Sequence, residues 1–459
     1  MQTRAFSGMT RHSTAARLER LPISSFHRQI MFALGIVFFF ELGDINTFSY
    51  AAPAILKEWG LSISGISVIV SATFFGMFLG ATSGGWFSDR LGRKKALIYA
   101  TLWYSVFSLL NAFVWEPMGL FVTRLLTGIG LSAMTVVGMT YISEMFPAAK
   151  RGAYQGWVLT IGLIGIPVTA YVARFTVPLA PWGWRLVFIW GSLGALAAAL
   201  ASRLEESPRW LEDHGQHEKA QEALARIEQR VGAECGELPV PREWIPPTFQ
   251  SHAYRTLFSK THLRQTVVLL IVWIGQTLGF YGFLAWVPTL LVAHGFSLVN
   301  SLAWSSAISI GAIPGALIAA LISDRWERKW LITGFALVVA VCGLAYGMSF
   351  KAVLIVVFGF CVAMFLQTFA AVLYAYTPET YPTGIRNSGT GLSYGSGRLA
   401  NAAGPLLVAF FFDHYGYTSV FVYIAVCWLV VAVAMGGFGV RTKGQVLEQL
   451  DSGSKPAGA

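Results

Sequence analysis

The chain has 459 residues, of which 55% are hydrophobic and only 12% charged, with a mean hydropathy of +0.58. A soluble domain carries about 25% charged residues, so a water-solvated globular enzyme is excluded and a chain solvated mostly by lipid is indicated. The net charge of +10 is spread between apolar blocks rather than gathered in one patch, which argues against a nucleic-acid partner.

Residues 1–28 are polar, carry Arg4, Arg11, Arg17, Arg20 and Arg28, and lack the short apolar region and cleavage site of a secretory signal. They read as a cytoplasmic tail. Six apolar stretches follow within 29–202, at about 30–54, 65–87, 96–115, 118–145, 154–177 and 184–202. Segment 203–264 is charged, with an amphipathic helix expected from Glu212 to Arg230 and a break at Pro239, Pro241, Pro246 and Pro247. It reads as a cytoplasmic linker. Six more stretches lie within 265–440, at about 265–293, 300–322, 330–349, 353–376, 388–412 and 418–438, and 441–459 forms a second cytoplasmic tail. Crossing the hydrocarbon core takes roughly 20 residues, and unpaired backbone is not tolerated there. The expected fold is therefore an all-α membrane protein with twelve transmembrane helices.

Of the 33 Lys and Arg residues, only Lys57, Arg174, Arg185 and Lys351 fall on the side away from the tails, with Arg124 and Arg398 inside spans. The positive-inside rule then places both termini in the cytoplasm, as a multi-pass protein of the inner (plasma) membrane. Cys235, Cys342, Cys361 and Cys427 show no metal or disulfide spacing, and no cofactor is expected.

The two halves match at a single offset of 235 residues. Pro53 pairs with Pro288, Gly60 with Gly295, Gly76 and Gly80 with Gly311 and Gly315, and Asp89, Arg90, Arg93 and Lys94 with Asp324, Arg325, Arg328 and Lys329. Glu144, Pro147, Arg151 and Gly156 pair with Glu379, Pro382, Arg386 and Gly391. So many coincidences at one offset mean duplication. An even number of spans per repeat makes the repeats parallel, giving two pseudo-symmetric six-helix bundles that can rock about a site between them. Because one chain holds both bundles, a monomer is expected.

After the second span the chain reads Gly85-Trp-Phe-Ser-Asp89-Arg90-Leu-Gly92-Arg93-Lys94. This resembles the G-x-x-x-D-R-x-G-R-[KR] loop of the major facilitator superfamily. The resemblance implies that superfamily's fold and a latch closing the cytoplasmic side, made of Asp89, Arg90, Arg93, Glu144 and Arg151, with Asp324, Arg325, Arg328, Glu379 and Arg386 as the second copy. The second copy carries Glu327 where Gly92 stands. Glu206-Ser207-Pro208-Arg209, Thr377-Pro378-Glu379-Thr380 and Thr442-Lys443-Gly444 resemble the sugar-porter-related branch, which includes niacin-type, organic-ion and other metabolite–proton carriers; Arg441 stands where that branch usually has Glu. True sugar porters show a Gln-Gln pair and an Asn in the seventh span. Here one Gln276 remains, and Tyr281-Gly282 with Trp286 and Pro288 is more similar to niacin and organic-acid carriers.

A charge at the bilayer centre costs about 2.5–3.5 kcal/mol even on insertion scales, so each intramembrane charge needs a reason. Glu41 and Asp44 share one face of the first span at spacing i, i+3. Two carboxylates so close in low dielectric do not both ionise, which suits one of them to carrying a proton; the alternative is a polar pair facing a wet cavity. The pair resembles the D-G-x-D element of aromatic-acid–proton symporters, and the repeat copy has Gln276 and Gly279 instead. Arg124 matches the superfamily's fourth-span Arg, linked to proton coupling, with a snorkelling interfacial Arg as the alternative. Arg398 lies roughly 18 Å into the eleventh span, with Tyr394 and Asn401 on its face. Its guanidinium suits a substrate carboxylate; a structural bridge to Asp44 or Glu41 is the alternative. Gln276, Tyr281 and Trp286 complete the expected substrate wall.

The resulting expectation is a secondary active transporter, a symporter that takes up a small organic anion with protons by alternating access. The substrate would be an aromatic or heteroaromatic monocarboxylate resembling nicotinate. A sugar or polyol–proton symporter and a drug-efflux antiporter are the competing readings.

Overall fold

The computed structural model describes residues 14–241, 253–323, 325–382 and 385–442. Its helices follow the apolar stretches. Spans 1 to 4 are Ser25–Trp59, Ile63–Leu91, Arg93–Asn111 and Pro117–Met145. Span 5 is Ala148–Leu163 continued by Gly165–Thr176, and span 6 is Trp184–Ser192 continued by Gly194–Ala201. Span 7 is Leu263–Leu284 with Val287–Ala293, and span 8 is Leu298–Ser309 with Ala312–Ile322. Spans 9 to 12 are Arg328–Gly347, Ala352–Glu379, Arg386–Tyr415 and Tyr417–Phe438. Between the halves lie Pro208–Asp213, the linker helix His217–Cys235 and the short helix Ala253–Leu257.

Ten of the twelve spans are long and apolar enough by themselves to cross a membrane. Spans 3 and 11 are the exceptions. Span 3 opens on Arg93-Lys94-Lys95, and span 11 is rich in Gly, Ser and Asn and carries Arg398. Neighbouring helices shelter that polar surface. Tyr104, Ser105 and Ser108 of span 3 are buried, and span 11 packs along spans 2 and 7.

The repeat is visible in the packing. A Cβ on Gly76 or Gly80 would come within 2.1 Å of the carbonyl oxygen of Leu125 or Ile129, so spans 2 and 4 touch backbone to backbone. At the same offset, Cβ atoms on Gly311 and Gly315 would meet the carbonyls of Phe360 and Met364 at 2.6 and 2.2 Å. Close approach through small residues is how helices gain contact area where lipid removes the hydrophobic driving force. The Gly80→Ala protein is expected to lose about 1–3 kcal/mol of stability from forced separation of these helices, read as a lower unfolding temperature in detergent.

One repeat pair behaves differently. Span 1 runs unbroken through Pro53, whereas span 7 breaks at Ala285 and Trp286, just before Pro288. Pro288 has no N–H to offer the carbonyl of Leu284. Ser49 of span 1 supplies the donor instead, its hydroxyl reaching the Leu284 and Ala285 oxygens at 3.2 and 2.6 Å. The break therefore ties the two halves together away from the tails, on what we term the far side. Ser64 to Asp413, and Ser306 to the carbonyl of Ala170, join the halves on that side too.

On the tail side, the linker and N-terminal segment dock on the first half. Arg17 and Arg20 both pair with Glu228 of the linker helix, at 2.5 and 2.8 Å. Leu18, Leu21 and Phe26 are buried in one cluster with Leu224, Ile227 and Val231.

Candidate functional site

Four intramembrane charges form the candidate site, one pair inside the N-terminal half and two groups, Glu41 and Arg398, on opposite halves. The first pair lies within the N-terminal half. Asp44 is fully buried; Ser108 donates to one carboxylate oxygen, and Arg124 Nη1 stands 3.7 Å from the other. Arg124 is 1% exposed, its Nε donates to Thr73 at 3.1 Å, and its guanidinium lies over the rings of Phe48 and Phe188. Its side chain thus points inward, and the snorkelling alternative does not hold. Gly191 makes room for this pair, since a Cβ there would sit 2.0 Å from the Asp44 carboxylate.

Glu41, one turn nearer the tail side, faces elsewhere. Thr135 donates to its Oε1 at 2.7 Å, and its Oε2 is buried without a hydrogen-bond partner. Arg398 of the opposite half lies within its electrostatic reach. Arg398 gives two donors, Nε at 2.9 Å and Nη2, to the Tyr394 hydroxyl, and stacks 5.0 Å over the Tyr394 ring. Its Nη1 is buried with no hydrogen-bond partner. So Asp44 pairs with Arg124, while Glu41 forms no salt bridge to a described residue and has Arg398 of the other half as a cation within its electrostatic reach. The two acids of span 1 are thus set against two cations rather than left to each other, and a neutral sum is the physical condition for keeping such groups in a low-dielectric interior.

Around Arg398, Trp273 packs edge-on against Tyr394 and Tyr374 at 5.4 and 5.0 Å. Tyr281 bridges to the other half, its ring 4.9 Å from Phe74. Asn401, one turn beyond Arg398, is 1% exposed, and neither of its side-chain amide atoms has a partner. Gln276 is buried and donates to Thr277 at 2.7 Å. Trp286 lies in the hydrophobic core at the break in span 7. Tyr394 thus stands on Arg398 and Tyr281 at the contact with the other half, whereas Gln276 and Trp286 make no described contact with Arg398. Ser108, Thr135 and Thr73 escaped the sequence reading, because hydroxyls are common in membrane helices and only their partners distinguish these three.

The tail-side network is built separately in each half. Arg93 bonds Glu144 at 2.8 Å and Asp89 at 2.5 Å. Its repeat counterpart Arg328 pairs with Glu379. Arg151 reaches Glu19 of the N-terminal segment at 3.2 Å, and Glu19 also holds Arg209 at 2.9 Å. Arg386 donates to the Tyr381 carbonyl at 3.3 Å, and Arg90 lies 4.1 Å over the Trp86 ring. Arg325 lies three residues past the end of span 8, and Asp324 lies outside the described residues. Ser207 and Glu206 of the linker join in, Ser207 donating to Glu144 at 2.5 Å and Glu206 accepting from the Lys94 amide at 3.0 Å. Glu206 thereby places an anion at the start of span 3, where the helix dipole favours one.

The pattern of the sugar (and other) transporter family matches residues 34–453. The chain belongs to this family. A metabolite transport protein of Bacillus subtilis (strain 168) is 46% identical to this transporter over 94% of the chain and 96% of its own length. The niacin transporter NiaP of Acinetobacter baylyi is 30% identical over 95% of the chain and 99% of its own length. A gallate transporter of Pseudomonas putida is 30% identical over 85% and 86%. Among solved structures, the xylose transporter XylE from E. coli superposes with a TM-score of 0.73 at 19% identity, covering 92% of this transporter and 100% of XylE. That likeness establishes the twelve-helix major facilitator fold. The protein is a multi-pass membrane transporter, and neither its family nor these relatives are enzymes.

Proposed function

We propose that this transporter takes up a small aromatic or heteroaromatic monocarboxylate, resembling nicotinate, together with a proton, across the inner membrane. Both termini lie in the cytoplasm, and the working unit is the monomer. The observation that carries this reading is Arg398, held by Tyr394 with its Nη1 group buried and unspent, while Glu41 of the other half keeps a buried, unpartnered Oε2. A planar carboxylate satisfies such a guanidinium. The names of the niacin and gallate transporters support the same chemistry.

Charge balance gives the coupling. One carboxylate entering beside Arg398 leaves the interior with one negative charge in excess. A proton on Glu41 Oε2 restores neutrality, so anion and proton enter and leave together. Alternating access follows from rocking of the halves. The pairs Arg93–Glu144 and Arg328–Glu379 brace each half at the tail side.

The test is uptake by the purified full chain in liposomes, comparing labelled nicotinate and 4-hydroxybenzoate with xylose. With an acidic exterior, the acids are expected to accumulate and a protonophore to abolish accumulation. Accumulation of xylose alone would replace this reading with the sugar one.

A further inference from the structure

The tail-side end of the second half repeats that of the first with its charges changed. At the offset of 235, Gln29, Gly92, Lys94 and Glu206 correspond to Arg264, Glu327, Lys329 and Arg441. The backbone is held alike in both. The Tyr141 hydroxyl donates to the Glu205 carbonyl at 2.6 Å after span 6, and its repeat partner Tyr376 donates to the Val440 carbonyl at 2.7 Å after span 12. Glu206 and Arg441 each come next in the chain, so they occupy equivalent places with opposite charge. In the first half the Glu206 carboxylate lies over Gly92, 2.5 Å from where a Cβ would stand, and accepts from the Lys94 amide. The second half supplies a cation from that position instead.

Two more cations stand with it. Arg264 Nε donates to the Phe438 carbonyl at 3.2 Å, tying the start of span 7 to the end of span 12. Lys329 opens span 9, is only 9% exposed, and has its Nζ 5.1 Å from the centre of the Trp330 ring. Arg264, Arg441 and Glu327 all lie within its electrostatic reach. Glu327, whose Oε1 accepts from the Thr442 amide at 3.1 Å, is the one acid of the four repeat positions. It offsets one of three cations, and Arg264, Lys329 and Arg441 form no ion pair with a described residue. Like charges gathered away from bulk water repel unless an anion joins them. The surroundings favour one anion. Exposed apolar side chains run from the cluster toward the bilayer centre, Leu263 and Val267 on span 7, Trp330 and Leu337 on span 9, and Val433 and Phe438 on span 12. A tryptophan at this level suits the headgroup boundary.

We propose that the tail-side ends of spans 7, 9 and 12 bind an anionic phospholipid, its phosphate held by Lys329, Arg264 and Arg441 and its acyl chains lying on the exposed surface of those spans. The phosphate supplies the negative charge that Glu206 supplies in the first half. A zwitterionic lipid brings an ammonium of its own and gains less. The site is independent of the transported substrate.

Binding to the delipidated full chain in detergent tests it. The probes are dioleoylphosphatidylglycerol, dioleoylphosphatidylcholine and glycerol 3-phosphate, read by thermal shift and by lipid adducts in native mass spectrometry. With two cations in excess, the wild type is expected to prefer phosphatidylglycerol to phosphatidylcholine by about 25-fold, about fivefold for each charge. Arg264→Gln is expected to cut the preference about fivefold, and Arg441→Glu, which restores the sign found in the first half, to bring it near one. Arg441 is exposed, so the substitution leaves packing intact; should the Glu variant not fold, Arg441→Gln carries the test with a fivefold loss expected, as for Arg264→Gln. Arg203→Gln removes a cation just past span 6 and is expected to leave the preference unchanged. Equal binding of the two lipids by the wild type, an unchanged preference in the Arg441 variant, or an equal loss in Arg203→Gln overturns the site. Glycerol 3-phosphate binding as tightly as phosphatidylglycerol overturns the lipid as its occupant.

Discussion

Arg398→Ala is expected to weaken carboxylate binding by about 100-fold or more, while amide analogues of the same acids lose far less. The guanidinium is held by Tyr394 with Nη1 unspent, and a charge-assisted bond to a desolvated carboxylate is worth about 1.5–3 kcal/mol. Alanine removes every such bond, so the loss belongs to the charge on the ligand. Lysine keeps the charge but not the fork, and Arg398→Lys is expected to recover part of the affinity. The measurement is paired titration of nicotinate and nicotinamide. Equal loss for acid and amide would assign Arg398 a structural role.

The second large effect separates the two acids of span 1. Glu41→Gln keeps the shape and the Thr135 contact but cannot take a proton. Its uptake is expected to lose the drive of a pH gradient while substrate exchange persists. In the wild type, one proton linked to one anion makes anion affinity fall about tenfold per pH unit once Glu41 is ionised; in Glu41→Gln that dependence is expected to be flat. Asp44→Asn is expected to behave differently. It strands the fully buried Arg124, whose nearest acid is Asp44 at 3.7 Å, and breaking a buried pair costs about 3–5 kcal/mol. The outcome is an unstable protein rather than an uncoupled one. A stable Asp44→Asn protein with flat pH dependence would move the proton to Asp44.

This division between Glu41 and Asp44 marks how far the residues alone carried the reading. Both were legible as rare acids on one face of span 1, because their spacing and the hydropathy around them are local properties. Which cation each one meets was not, since Arg124 and Arg398 lie far away in the chain and on different halves. Arg124 read equally as a snorkelling interfacial residue, but a long side chain can turn inward, and the hydroxyl of Thr73 and the rings of Phe48 and Phe188 draw it there. The same holds for Arg151, which the repeat grouped with Glu144 but which meets Glu19 from the N-terminal segment.

Hydropathy, charge asymmetry and the offset of 235 residues were enough to establish twelve spans in two related bundles, because lipid solvation and duplication write themselves into every span. The pairing of Asp44 with Arg124 and the contact that caps the break before Pro288 depend on segments more than 50 residues apart. Those contacts are chosen by tertiary packing, within the first half for Asp44 and Arg124 and across the interface of the halves for Ser49 and the broken span 7.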